Sequence, residues 1–193
     1  LLFPGANHAL DLKELGTDLA NIEAGNWVLF QNEMPNLKEM ISLAKVCGAK
    51  VAVNPAPFDT AAENIPFQDL DLLIVNDIEA EELARAKLDG NEEALSSLCP
   101  IVIVTRGTKG AICYSSDETI EVPAFKVEAV DTTGAGDTFV GYILSSIASG
   151  MDLVSAMKRA SAASALAVTK AGASIAIPTS DEVDEFLNKK SEA

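Results

Sequence analysis

Apolar residues along this chain come in short unbroken runs, and each run ends in a polar step. Trp27-Val-Leu-Phe30, Val51-Ala-Val53, Leu72-Leu-Ile-Val75 and Ile101-Val-Ile-Val104 read as strands. They lack polar and apolar alternation, so the sheet they build is covered on both faces. Helical periods lie between them. Leu37, Met40, Ile41 and Ala44 recur at i, i+3, i+4 and i+7 and make one apolar face. Pro35 suits the first turn of that helix and Gly48 its end. Glu79 to Leu88 and Glu92 to Leu98 read as two further helices. After Gly110 the pattern changes: Ala111-Ile-Cys-Tyr114 and Thr119-Ile-Glu-Val122 flank Ser-Ser-Asp-Glu, which predicts a hairpin. Helices are predicted at 135–149 and 152–169, the second dense in Ala and Ser. A strand at 174–177 and a terminal helix presenting Val183, Phe186 and Leu187 on one face close the pattern. Together these elements predict one α/β domain over 1–193, with a mostly parallel sheet and helices on both faces.

Composition narrows the functional classes. Of 193 residues, 48% are hydrophobic but only 5% aromatic, so small aliphatic side chains fill the core. The 29 acidic against 14 basic residues give a formal charge of −15, which repels phosphate backbones and anionic lipid and argues against nucleic-acid or membrane partners. Cys47, Cys99 and Cys113 show no metal-ligand spacing and read as reduced, buried thiols. No apolar run reaches the roughly 20 residues that span a bilayer, and the expected location is cytoplasmic. The first residues, Leu1-Leu-Phe-Pro-Gly5, read as a chain entered partway through a fold. His8 is the single histidine and reads as a surface or turn residue.

In sheets of this kind, ligands sit beyond the carboxyl ends of the strands. Glu33, Asn76, Thr105 with Gly107, and Asp131 through Asp137 all fall there. In the last segment, Gly134-Ala-Gly136 opens a predicted helix. The first amides of a helix have no internal partner and, with the helix dipole, form an anion site. Asp137 falls within that first turn, where a carboxylate can take a proton from an attacking hydroxyl. The same residues also read as a glycine-rich helix entrance with an acid on the dipole. Asn76 with Glu79 three positions on also reads as an N-cap and its capping-box partner. Glu33 also reads as an exposed acid after a strand. Arg106 and Lys109 read either as solubilising charges or as offsets to phosphate.

The run Asp131-Thr-Thr-Gly-Ala-Gly-Asp-Thr-Phe139 resembles the C-terminal signature of the ribokinase/phosphofructokinase-B family of sugar kinases. Further similar segments follow in family order: Pro4-Gly-Ala-Asn7, Gln31-Asn-Glu33, Asn54-Pro-Ala-Pro57, Asn76-Asp-Ile-Glu79, Thr105-Arg-Gly-Thr-Lys-Gly110 and Thr169-Lys-Ala-Gly-Ala173. The resemblance covers essentially the whole chain and implies a ribokinase-like fold. It implies Asp137 as catalytic base, with Gly134, Ala135 and Gly136 as an anion hole. It implies Asn76 near the nucleotide phosphates and Glu79 ordering water and Mg²⁺. Thr105, Arg106, Gly107, Thr108, Lys109 and Gly110 form the implied nucleotide loop. Ser161 stands where the family often has Asn or His beside the adenine. Glu33 is the implied sugar contact. Asp131, Thr133, Ala167, Lys170, Gly172 and Ala176 fall at the family's monovalent-cation loops, whose ligands are mostly backbone carbonyls. Ala176 lacks the hydroxyl common there in ribokinases.

The family's N-terminal third, with its first strands, β lid and a Gly-Gly-Lys-Gly-like sugar-binding stretch, has no counterpart in these 193 residues. The resemblance therefore implies the nucleotide half of a kinase, with ATP, Mg²⁺ and K⁺ as cofactors and a homodimer at full length. The implied reaction is γ-phosphoryl transfer from ATP to D-ribose, because Glu33, the 54–57 segment and the 4–7 segment look ribokinase-like. Kinases of the same family acting on fructose, ketodeoxygluconate or a nucleoside are the alternatives, as is a non-catalytic nucleotide-binding module. The chain by itself is expected to be inactive.

Overall fold

The unbroken apolar runs become strands in the computed structural model, which describes residues 5–9, 11–59 and 62–191. Six strands join one sheet in chain order: β1 (Trp27–Gln31), β2 (Lys50–Asn54), β3 (Leu72–Asn76), β4 (Ile101–Thr105), β5 (Ala111–Ser115) and β6 (Thr119–Val122). The helices are α1 (Leu12–Ala20), α2 (Leu37–Val46), α3 (Asp77–Lys87), α4 (Ala135–Ala148), α5 (Leu153–Ala167) and α6 (Ser180–Ser191). The chain groups into two compact units. The first runs up to Val104 and includes Cys113–Thr119; the second takes Thr105–Ile112 and the chain from Ile120 onward.

In the first unit, β1 pairs parallel with β2, Trp27 opposite Lys50 through Gln31 opposite Asn54, and β2 pairs parallel with β3. Val51, Ala52, Val53, Leu72, Leu73, Ile74 and Val75 are all buried, as expected of strands covered on both faces. Each large aliphatic side chain among them contributes about 1.5–3 kcal/mol relative to exposure. Leu37, Met40, Ile41 and Ala44 form the buried face of α2. That helix begins two residues later than Pro35 predicted, at Leu37, because Asn36 takes a left-handed conformation (φ 58°) and serves as N-cap. The predicted helix at 92–98 is a 3₁₀ segment, Glu92–Ser97. α1 was not read from the periodicity; Asp11 caps it by accepting the Lys13 N–H at 2.8 Å.

In the second unit, α5 lays alanines against its neighbours. Ala156, Ala160, Ala162 and Ala163 are fully buried, and small side chains let helices approach closely. Val183 of α6 is buried in a cluster with Phe125, Tyr142, Leu166, Phe186 and Leu187. The predicted strand at 174–177 is not a strand. Gly172 at φ 98° turns the chain, and the Ala176 N–H bonds the Ala173 carbonyl at 3.0 Å, closing a 3₁₀ turn over Ser174–Ala176. Exposure nonetheless alternates here, with Ile175 exposed, Ala176 buried and Ile177 exposed. The alternation arises from a loop pressed onto the core at one residue.

All three cysteines are free thiols. Burial pushes Cys99 and Cys113 up to about 12, so neither is a thiolate near neutral pH. Among the described residues no helix is long and apolar enough to cross a membrane.

Candidate active site

The entrance to α4 is built by a glycine in the left-handed conformation, which most side chains adopt only with strain. Gly134 is the N-cap at φ 75°, ψ 6°, and a Cβ there would lie 3.5 Å from both Cα and Cβ of Ala173. The turn is closed by the Ala135 N–H on the Thr132 carbonyl at 3.2 Å, and the Thr138 N–H and hydroxyl both donate to the Gly134 carbonyl, at 2.9 and 2.8 Å. From α5, the Ser164 hydroxyl donates to the Ala135 carbonyl at 3.0 Å and ties the helix start in place. Gly136 and Asp137 follow, both exposed. A Cβ on Gly136 would meet nothing within 4 Å, so space lies open beside the first turn. An exposed carboxylate therefore stands beside first-turn amides whose positions favour anions. Of the three expected anion-hole amides, that of Ala135 is engaged by Thr132.

Thr105, Arg106, Gly107, Thr108, Lys109 and Gly110 form a tight loop after β4. The Arg106 N–H donates to the Gly110 carbonyl at 2.7 Å, and Gly107–Lys109 is one 3₁₀ turn. Gly110 is buried at φ 95°, ψ −141°, and a Cβ there would sit 2.0 Å from the Val122 carbonyl oxygen. The Arg106 guanidinium pairs with Glu121 on β6. Thr108 and Lys109 are exposed at the loop's tip. Glu121 had no motif to announce it in the sequence.

The segments read as cation loops are tied together by Asp131. Its Oδ1 accepts the Thr133 N–H and its Oδ2 the Gly172 N–H, both at 2.9 Å. The hydroxyl and N–H of Thr133, followed by the Gly172 N–H, hold this carboxyl down to about 2. The Ala167 carbonyl accepts the Lys170 N–H at 3.1 Å, and the Lys170 ammonium pairs with Glu182 at 3.0 Å. Ala167 and Ala176 are buried, as is Ser161 on α5.

The remaining candidates belong to the first unit. Asn76 caps α3, its Oδ1 accepting the Glu79 N–H at 2.9 Å while Glu79 Oε2 accepts the Asn76 N–H at 2.9 Å. The capping box is thus complete. Burial raises the Glu79 pKa, against the lowering effect of the Asn76 N–H. Glu33 is exposed on the loop after β1. Sequence reasoning missed the amide pair beneath that loop: Gln31 Nε2 donates to Asn54 Oδ1 at 3.1 Å, and Asn54 Nδ2 to the Ile74 carbonyl at 2.9 Å. Gln31 and Asn54 are register partners, a relation that only strand pairing reveals. Asn32 Nδ2 also links that loop to the Pro57 carbonyl at 2.7 Å. Of the 4–7 segment, Pro4 lies outside the described residues, as does the side chain of His8. Two open grooves, of about 570 and 510 Å³, lie around Tyr142 with Arg159 and around Phe58 with Arg85, and no candidate residue lines either.

Comparison with known proteins agrees with this layout. Residues 1–180 match the pfkB family of carbohydrate kinases. The deoxyribokinase of Salmonella typhi is 29% identical over 197 residues, covering 97% of this chain and 64% of its own length. The crystal structure of ribokinase from Thermotoga maritima matches with a TM-score of 0.83 at 34% identity, over 97% of this chain and 64% of that one. Ribokinase from Cryptococcus neoformans in complex with ADP matches with a TM-score of 0.82 at 30% identity, over 96% of this chain and 66% of that one. The chain thus spans about 64% of the length of the deoxyribokinase it matches. On the match to residues 1–180, with the ribokinase fold and the α4 entrance beside it, the chain belongs to the pfkB family of carbohydrate kinases.

Proposed function

We propose that this chain supplies the nucleotide-holding and proton-accepting parts of an ATP-dependent kinase that phosphorylates the primary hydroxyl of D-ribose to give ribose 5-phosphate. The observation that carries the reading is the α4 entrance, where an exposed Asp137 carboxylate stands in the first turn beside the open space at Gly136. Asp137 accepts the hydroxyl proton as the sugar oxygen attacks phosphorus. The α4-entrance amides other than that of Ala135 hold the phosphoryl oxygens, a task of positioning and charge stabilisation that dominates phosphoryl transfer. The loop 105–110 holds the nucleotide, with Arg106 and Lys109 offsetting its charge in an acidic chain.

Mg²⁺ fits this donor set. It usually takes one or two carboxylates together with substrate phosphates. Among the described residues no three acidic, His or Cys side chains converge, so an ion here draws its other ligands from the nucleotide. Glu79 would hold it, directly or through water. The chemistry it would supply is an offset to the negative charge of the nucleotide phosphates. A monovalent cation would rest on carbonyls of the loops that Asp131 ties together, without touching substrate. Two similar ribokinases support ribose as acceptor. The deoxyribokinase match favours deoxyribose as the second reading, since that sugar offers the same 5-hydroxyl. The homodimer and the cytoplasmic location belong to the same proposal.

Calorimetric titration of ADP and ATP with Mg²⁺ into this chain tests the nucleotide part, and binding with a Kd below the millimolar range is expected. A folded sample that takes up neither nucleotide refutes it. A coupled assay on a ribose, deoxyribose and fructose panel, run on the turnover-competent protein, decides the acceptor.

A further inference from the structure

Among the described residues, Arg106 Nε is the one buried side-chain nitrogen or oxygen without a hydrogen-bond partner. The adjacent Nη2 of the same guanidinium donates to Glu121. The two partners differ in environment: the Arg106 side chain is 24% exposed and that of Glu121 63%. An exposed carboxylate is a weak competitor for a guanidinium, because water and salt screen it. The Nε, by contrast, is a dry donor that meets no acceptor, and a guanidinium satisfied on two adjacent N–H groups is a strong holder of phosphate.

The backbone around the pair is fixed at both ends. Arg106 N–H closes the loop on Gly110, and Gly110 is pressed onto the backbone of β6 at Val122, the residue after Glu121. A change of partner at Arg106 therefore needs side-chain torsions and no loop movement. The chain carries a formal charge of −15, so a polyphosphate arriving here meets few cations, and Arg106 is one of two on this loop.

We propose that Glu121 is a resident counter-ion that a nucleoside polyphosphate displaces from Arg106. Glu121 then sets how strongly the loop prefers phosphorylated over unphosphorylated nucleoside. The proposal rests on the reading of 105–110 as a nucleotide loop. On that reading, Glu121 keeps Arg106 ordered and neutralised while no nucleotide is bound, and the phosphate takes both the Glu121 contact and the Nε.

The test is calorimetric titration of ADP and of adenosine into this chain and its Glu121→Gln, Arg106→Met, Arg106→Lys and Glu121→Gln/Arg106→Met variants, at low and high salt. Glu121→Gln should bind ADP about 3- to 10-fold more tightly at low salt, with the gain shrinking at high salt, while adenosine is unchanged. Arg106→Met should lose about tenfold or more for ADP and little for adenosine, as expected on losing a charge-assisted contact. The double variant should match Arg106→Met, because without the guanidinium Glu121 has nothing to withhold. Arg106→Lys keeps the charge but not the Nε, and should fall between wild type and Arg106→Met. Glu121 is exposed, so its variant keeps the fold, and circular dichroism checks the arginine variants. Weaker ADP binding by Glu121→Gln would make the pair a structural brace and overturn the exchange. Unchanged ADP binding by that variant, while wild type binds, overturns the exchange alone. Failure of folded wild type to bind ADP overturns the nucleotide reading of the loop and the exchange with it.

Discussion

Two glycines in the candidate site should respond in opposite ways to the same added methyl. At Gly110 the backbone lies at φ 95°, ψ −141°, a region that side chains rarely reach. A Cβ there would fall 2.0 Å from the Val122 carbonyl oxygen, 2.7 Å from the Ala124 nitrogen and 2.8 Å from the Pro123 carbonyl carbon. All three are backbone atoms and none can swing aside. The dihedral strain is worth about 1–3 kcal/mol, and forcing extra volume into a packed site adds about 1–3 kcal/mol. Gly110→Ala should therefore destabilise by about 3 kcal/mol or more, which lowers Tm by about 6–12 °C for a chain of this size. Gly136→Ala meets nothing within 4 Å, and replacing a helical glycine by alanine is neutral or stabilising by up to about 1 kcal/mol. Its fold should hold while ATP affinity drops, because the methyl enters the space assigned to the transferring phosphoryl group. Thermal unfolding by circular dichroism and ATP calorimetry on both variants measure the contrast. A Gly110→Ala stability within about 0.5 kcal/mol of wild type, the range of an ordinary surface change, would refute the packing argument. Full ATP affinity in Gly136→Ala would refute the placement of the phosphoryl group.

Other perturbations separate chemistry from structure. In the turnover-competent protein, Asp137→Asn should lower kcat by about 10²–10⁴-fold, the usual contribution of a general base, with nucleotide affinity intact; retention of more than about a tenth of kcat would remove Asp137 from that role. Glu79→Gln should keep the α3 cap, since Gln also serves in a capping box, and weaken Mg²⁺-nucleotide binding. The Glu79 pKa is raised by burial, so the wild-type side chain favours folding most when protonated, and that contribution is lost as pH rises through the raised folded value. Above that range the ionised form is held against its desolvation, so Glu79→Gln should match or exceed wild type in Tm at neutral pH and lose that advantage below the carboxylate range. A neutral variant that melts several degrees lower at pH 7 would contradict this sign.

The strands and the α4 entrance were legible because their causes are local. An unbroken apolar run such as Leu72-Leu-Ile-Val75 has few ways to be buried except in a covered sheet. Gly134 before a helical period needs the left-handed φ that it adopts. Segments whose form depends on distant contacts were not legible. The 174–177 stretch reads as a strand, yet its N–H groups turn back locally once Gly172 redirects the chain. Pro35 is a plausible helix start, but Asn36 in the left-handed region takes that place. Asn76 and Glu79 carried both a structural and a functional reading in the sequence, and the completed capping box satisfies the structural one in full.

That last case sets what the two roles of Glu79 require of each other. A carboxylate that serves only as a cap gains little from burial, since an exposed Glu or Gln caps as well. Glu79 is instead 7% exposed, and desolvation is the largest influence on its pKa. The cap is complete without that burial, so a carboxylate buried here is also a good waiting ligand. A nearby divalent cation would reverse the desolvation effect and pull its pKa down. If Glu79 serves the metal, adding Mg²⁺ with ADP should lower its titration midpoint, read by NMR of the side-chain carboxyl. ADP with no divalent ion should leave the midpoint in place or raise it, because phosphate repels carboxylate. A midpoint that ignores Mg²⁺ and ADP together would leave the capping box as the whole explanation of this residue.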